Sequence, residues 1–165
     1  MEQTPKPTPE HLWLKQLVGD WSFESRGSMG NEDDVVELRG TESVRMLGDL
    51  WILSDMDGAM PGGERCTAVM TIGFDPDRNL FIGTWVGSMM TSMFHYEGSL
   101  DEGRRVLTLN TSGPHFANPA ASATYRDIIE LNDDGTRTMR SEILLGDGSW
   151  QTFNRGVFHR TSGSG

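Results

Sequence analysis

The segment from Met70 to Thr111 holds four strand-like runs, Met70–Phe74, Leu80–Val86, Met93–Leu100 and Val106–Thr111. Turn clusters divide them: Asp75-Pro76-Asp77-Arg78-Asn79, Gly87-Ser88 and Asp101-Glu102-Gly103-Arg104. No helical period interrupts the series, so each run pairs with its sequence neighbour as an antiparallel meander. A meander that keeps extending leaves two raw edges, and closure removes both. The spacing therefore predicts a barrel, and a barrel of this size holds either packed side chains or one small ligand.

The rest of the chain extends the same pattern. A single helix is expected at the front, capped by Thr8 with Pro9 at its first position. Its apolar stripe is Leu12, Trp13 and Leu17, with Leu14 and Val18 beside it, and Gly19 ends it. Such a helix would plug one end of the barrel. Trp21 and Phe23 alternate with Ser22 and Glu24 as a first strand, and a loose polar stretch runs from Ser25 to Asp34. Val35–Leu47 and Trp51–Met56 read as the next pair, and Gly58-Ala59-Met60-Pro61-Gly62-Gly63 as a loop near a barrel mouth. After a second long loop, Ser112 to Ser122, come strands at Tyr125–Leu131, Thr138–Leu145 and Trp150–Arg160. The expected fold is all-β, an antiparallel up-and-down barrel of about ten strands with a short N-terminal helix closing one end. Residues 1–165 read as one domain with loose ends at about 1–7 and 161–165.

Charge and composition narrow the partners. Fourteen Lys and Arg against 24 Asp and Glu give a net charge of −10, which repels phosphate backbones and anionic lipid. No nucleic-acid or membrane partner is expected, and no apolar run reaches the roughly 18 residues of a membrane span. The start shows no cationic and apolar export pattern, so the sequon Asn110-Thr111-Ser112 carries no weight. The lone Cys66 forms no intramolecular bridge, which suits a reducing, cytoplasmic compartment.

Particular residues also carry a resemblance. Gly19-Asp20-Trp21 after a short helix is similar to the Gly-x-Trp opening of lipocalins and other calycins, in which an Arg from the last strand packs over the Trp. Arg160 is the first candidate for that Arg and Arg155 the second. Gly48-Asp49-Leu50-Trp51, Phe74-Asp75-Pro76, Gly83-Thr84-Trp85-Val86, Ser88-Met89, Glu97-Gly98, Leu107-Thr108-Leu109 and Tyr125-Arg126-Asp127 follow in order. From about His11 to Arg160 they resemble a bacterial family labelled domain of unknown function 1579, a lipocalin-like barrel without an established role. The chain departs from that family at Gly87, where many relatives carry Asp.

The residues themselves propose a site. Alternate strand residues share a face, so Trp85 is in phase with Phe81 and Gly83, and Met93 with His95. Trp51, Trp85, Met89, Met93 and Tyr125, with Met90, would make an apolar, polarisable lining, and Ser88, Thr91, His95 and His115 polar fixings for a ligand. The competing reading is ordinary core filling. No His-x-His, paired-Cys or complete calcium-loop pattern occurs, so no metal or cofactor is assigned. Catalytic motifs are missing too; Asp127 is a candidate general base whose commoner role is exposure or a cross-strand ion pair. The leading expectation is a barrel that binds a small apolar molecule, with a homodimer left open. The alternatives are an enzyme acting through His95, His115 or Asp127, a filled barrel serving protein association, and a haem barrel. The last rests on His159, placed late in the chain like the haem-binding His of nitrobindin, although the blocks around it do not follow that pattern.

Overall fold

A computed structural model of the chain describes residues 3–28, 35–59 and 62–162. Helix α1 spans Pro9–Leu14 and tightens into a single 3₁₀ turn at Lys15–Leu17. Ten strands follow: β1 Gly19–Ser28, β2 Val35–Leu47, β3 Trp51–Ala59, β4 Arg65–Asp75, β5 Leu80–Gly87, β6 Phe94–Leu100, β7 Val106–Pro114, β8 Ser122–Leu131, β9 Arg137–Leu144 and β10 Trp150–Ser162. Every strand pairs antiparallel with its neighbour in sequence, and β1 pairs with β10, so the barrel is closed. This is the expected fold class. The strands run further than the sequence pattern indicated, because ladder pairing carries polar residues along: β1 continues to Ser28 opposite Val35, and β7 and β8 pair out to Pro114 and Ser122. The predicted second loop shrinks to 115–121. Met60 and Pro61 of the first lie outside the described residues.

The helix end is the packed end. Thr8 caps α1, and its backbone N–H donates to Nδ1 of His11 at 2.9 Å. Nε2 of the same ring lies 2.9 Å from the Phe74 carbonyl. With Nδ1 accepting, Nε2 must carry the proton, so His11 serves as a neutral strut between the helix and β4. Trp13, Leu14 and Leu17 are buried, whereas Leu12 is exposed: the helix packs on the barrel through the face that carries His11, Leu14 and Leu17, which leaves Leu12 on the solvent side. Trp13 Nε1 donates to the Arg104 carbonyl at 2.7 Å, which ties the plug to the β6–β7 turn.

Inward side chains alternate along the strands, with the period broken in β10 by a bulge at Phe153. Nearest the plug they are apolar: Val44, Ile52, Ile72, Phe74, Phe81, Leu107 and Ile129. One step further along lies a buried ion pair between Glu42 on β2 and Arg137 on β9, both 2% exposed, with Ser54 donating to Glu42 at 2.6 Å. Arg137 is also stacked over Trp21 and Phe158, 4.6 and 4.1 Å from their ring centres. Burial, and then the charge of Arg160, lowers its pKa to about 9, so the guanidinium is charged at neutral pH. At Gly83 and Gly98 a Cβ would sit 2.1 and 2.0 Å from the neighbouring carbonyls of Thr71 and Thr108, so the close approach of the adjacent strand leaves room only for glycine.

Candidate functional site

Beyond the Glu42–Arg137 layer the filling thins. A cavity of about 160 Å³ lies toward the end opposite the helix. Phe23, Leu38, Met56, Ala68, Trp85, Met89, Met139 and Phe158 supply most of its wall, and Ser25, Asp127, Ser141 and Asn154 are among its polar groups, with Cys66 and Thr67 also on the wall. That volume is on the scale of one substituted aromatic ring, the size of an engineered cavity that admits benzene. The residues reach it by simple alternation, since Tyr125, Asp127 and Ile129 on β8 share the inward face, as do Met139 and Ser141 on β9.

Among the described residues, Asp127 is the only acidic side chain lining the cavity. Tyr96, buried on β6, donates its phenol hydrogen to Oδ2, and Ser141 donates to Oδ1 at 2.6 Å. Burial raises the pKa of Asp127, although the bonds from Ser141 and Tyr96 pull the other way. Tyr96 is raised well above its ordinary value by burial and then by the Asp127 charge, so it remains a donor. Arg126, the next residue back on β8, points outward; its Nε is 2.6 Å from Glu142, and its guanidinium lies 4.1 Å from the centre of the Trp150 ring. Among the described residues, no cation is paired with Asp127.

An aromatic cluster secures the mouth. Phe94 stands edge-on to Tyr125, Phe116 packs on Tyr125 and Phe153, and Trp85 lies 6.1 Å from Phe94. The Tyr125 hydroxyl donates to the Pro114 carbonyl at 2.8 Å and accepts from the Phe116 amide at 3.2 Å, pinning the 115–121 loop. Burial raises its pKa.

The residues singled out from sequence separate into three groups. Trp85 and Met89 line the cavity, and Tyr125 buttresses its rim. Ser88, Thr91, Met93 and His115 sit in the two loops at the open end: Ser88 Oγ accepts from the Thr67 amide, Met93 is exposed, and His115 accepts from the Ala117 amide and packs on Phe116. Trp51 and His95 lie on the outer face. Trp51 covers Gly73, where a Cβ would meet its ring at 2.4 Å, and both border an external groove with Arg78 and Glu97. At Gly87 a Cβ would lie 2.5 Å from Met89 Sδ and 2.7 Å from Trp85, so Met89 and Trp85 occupy the space an Asp would need.

Asp127 is the cavity residue that sequence reading undervalued, because a charge on a half-polar strand reads as solvent-facing. The available signal was its phase with Tyr125 and Ile129. His159 is exposed on the outer face of β10, and the cavity is far smaller than a tetrapyrrole, so these residues do not fit a haem inside the barrel. Among the described residues, no group of three or more His, Cys, Asp or Glu could hold a metal ion, and no helix is long and apolar enough to cross a membrane.

Comparison with known proteins agrees with the architecture. The profile of a family described as "Protein of unknown function (DUF1579)" matches residues 6–160. Comparison with curated proteins finds no match. Among solved structures, Rv2717c from M. tuberculosis aligns with a TM-score of 0.61 at 13% identity, covering 95% of this chain and 100% of the other. The S-type phycobiliprotein lyase CPES from Guillardia theta aligns with a TM-score of 0.62 at 12% identity, covering 96% of each chain. At these identities the likeness establishes the fold.

Proposed function

The chain belongs to the DUF1579 family, whose description assigns no activity, and from the geometry of its barrel we propose that it binds a small, mainly apolar molecule in the open-end cavity. The observation that carries this reading is the contrast between the two halves of the interior. The half next to the helix is filled by close-packed side chains, while the other half keeps about 160 Å³ between apolar walls. Close packing is the rule in protein interiors, and a void forfeits dispersion contacts for every atom lining it. A ring-sized guest restores those contacts. Trp85 and Met89 contact the guest, Tyr125 holds the rim, and Ser88, Thr91, Met93 and His115 border its path of entry. In this reading the chain acts as one domain in the cytoplasm of a bacterium.

The test is uptake of toluene followed by NMR. Saturable shifts should appear at the Met56 and Met139 methyl groups and the Trp85 indole. Shifts confined to Met90 and Met93 at the rim, or no saturable shift, would contradict the proposal.

Asp127 favours a second reading, in which the bound molecule exchanges a proton with this carboxyl. A group of raised pKa in a pocket is suited to acid–base work. His95 and His115, the other catalytic candidates, do not reach the cavity. Hydrogen–deuterium exchange at carbon in a bound ligand, abolished in Asp127→Asn, would favour this reading over simple binding.

A further inference from the structure

We propose that the molecule held in the cavity carries a single cationic nitrogen, an ammonium or amidinium group on a ring-sized apolar body, and that Asp127 is its counter-charge. This inference rests on the cavity being a binding site and specifies the class of ligand.

Three observations converge on a cation. First, Asp127 sits in an environment of donors. The Tyr96 phenol and the Ser141 hydroxyl each give it a hydrogen, one to each oxygen, and an ionised carboxylate has further lone pairs available. Second, no cation among the described residues pairs with the carboxylate. Arg126 is committed outside to Glu142, and Arg137 is committed to Glu42, two inward positions nearer the plug along β9 from Ser141. An ionised carboxyl in such a wall is costly without a partner, which is why burial pushes its pKa up. An arriving ammonium supplies the missing charge. Third, the surrounding surfaces attract cations. The aromatic rings of Phe23 and Trp85 and the polarisable sulfurs of Met56 and Met139 line the same space, and the whole chain carries a net charge of −10. An anionic ligand would meet repulsion at each of these levels. A neutral one would leave Asp127 as it is.

Benzylamine and benzyl alcohol test this, because they share a ring and a length but differ in charge at pH 7.5. Isothermal titration of the intact protein should give benzylamine at least about tenfold tighter binding than benzyl alcohol. Asp127→Asn should weaken benzylamine by about thirtyfold or more, the loss expected on truncating one partner of a buried charge pair, and leave benzyl alcohol within about threefold. Should Asp127→Asn fail to fold, the wild type serves alone. Acidification should weaken benzylamine as Asp127, whose pKa burial raises, takes up its proton, with benzyl alcohol indifferent. The titratable groups facing Asp127 are Tyr96 from β6 and, across the cavity, Cys66 from β4, with the Glu42–Arg137 pair deeper in the barrel. Equal affinities that neither Asp127→Asn nor pH alters would overturn the cation and leave the cavity reading intact. If neither compound binds, nor toluene, the cavity reading fails and the cation inference falls with it.

Discussion

Arg160 lies over Trp21 with its guanidinium carbon 4.2 Å from the ring centre, directly opposite it in the β1–β10 ladder. Its two terminal nitrogens donate to the carbonyls of Val18 at 2.6 Å and Gln16 at 2.9 Å, and Trp21 Nε1 donates to Leu17 at 3.0 Å. The last strand thereby holds the plug turn against the first, as the resemblance to Gly-x-Trp barrels implied. Trp21→Ala should cost roughly 3–5 kcal/mol, the range for a large buried aromatic. Chemical denaturation measures it, and an unchanged midpoint would contradict this placement.

The Glu42–Arg137 pair makes a different demand. Removing one member strands the other charge in a dry layer, so Glu42→Leu or Arg137→Met alone should each destabilise by about 3–5 kcal/mol. The double variant Glu42→Leu with Arg137→Met should recover much of that loss, because two apolar side chains need no partner. A double-mutant cycle reads the coupling, and strictly additive losses would mean that the two residues act independently.

Asp127 should leave a signature in the pH dependence of folding. Its folded pKa is raised above the ordinary 3.8, so between the two values the folded chain binds more protons than the unfolded chain. Stability relative to Asp127→Asn is then greatest below the unfolded value and declines as pH rises through the folded one. Asp101, Asp134 and Asp147, whose pKa values are lowered mainly by local hydrogen bonds, act in the opposite sense, and the difference between the two proteins cancels them. Urea titrations of both proteins across pH 3 to 8 test this; a parallel pair of curves would place Asp127 in water.

The fold was legible in the sequence because its signals are local. Asp75-Pro76-Asp77-Arg78-Asn79 is a turn on its own chemistry, with Asn79 at φ 55° and Asp75 accepting from the Asp77 amide at 3.0 Å. Thr8 and Pro9 likewise start the helix unaided. The site was less legible, since lining a cavity depends on strand phase. In Trp51-Ile52-Leu53 apolar residues fall on both faces, and nothing local says that Trp51 lies outside over Gly73. Tyr125-Arg126-Asp127 presents two charges in succession, and only the closed barrel decides that the first meets Glu142 outside and the second Tyr96 inside.

The central claim, that the open half of the barrel receives a guest, is tested most directly by filling it. Ala68 faces the cavity from β4 and is small and buried, so Ala68→Phe places a ring where the guest would lie. A ligand bound only by the folded state stabilises it by roughly 2.7 kcal/mol at a hundred times its Kd. Thermal unfolding of the wild type should therefore shift upward by several degrees with saturating toluene or benzylamine, and the folded Ala68→Phe variant should show no shift. Equal shifts in the two proteins would place binding elsewhere and contradict the account.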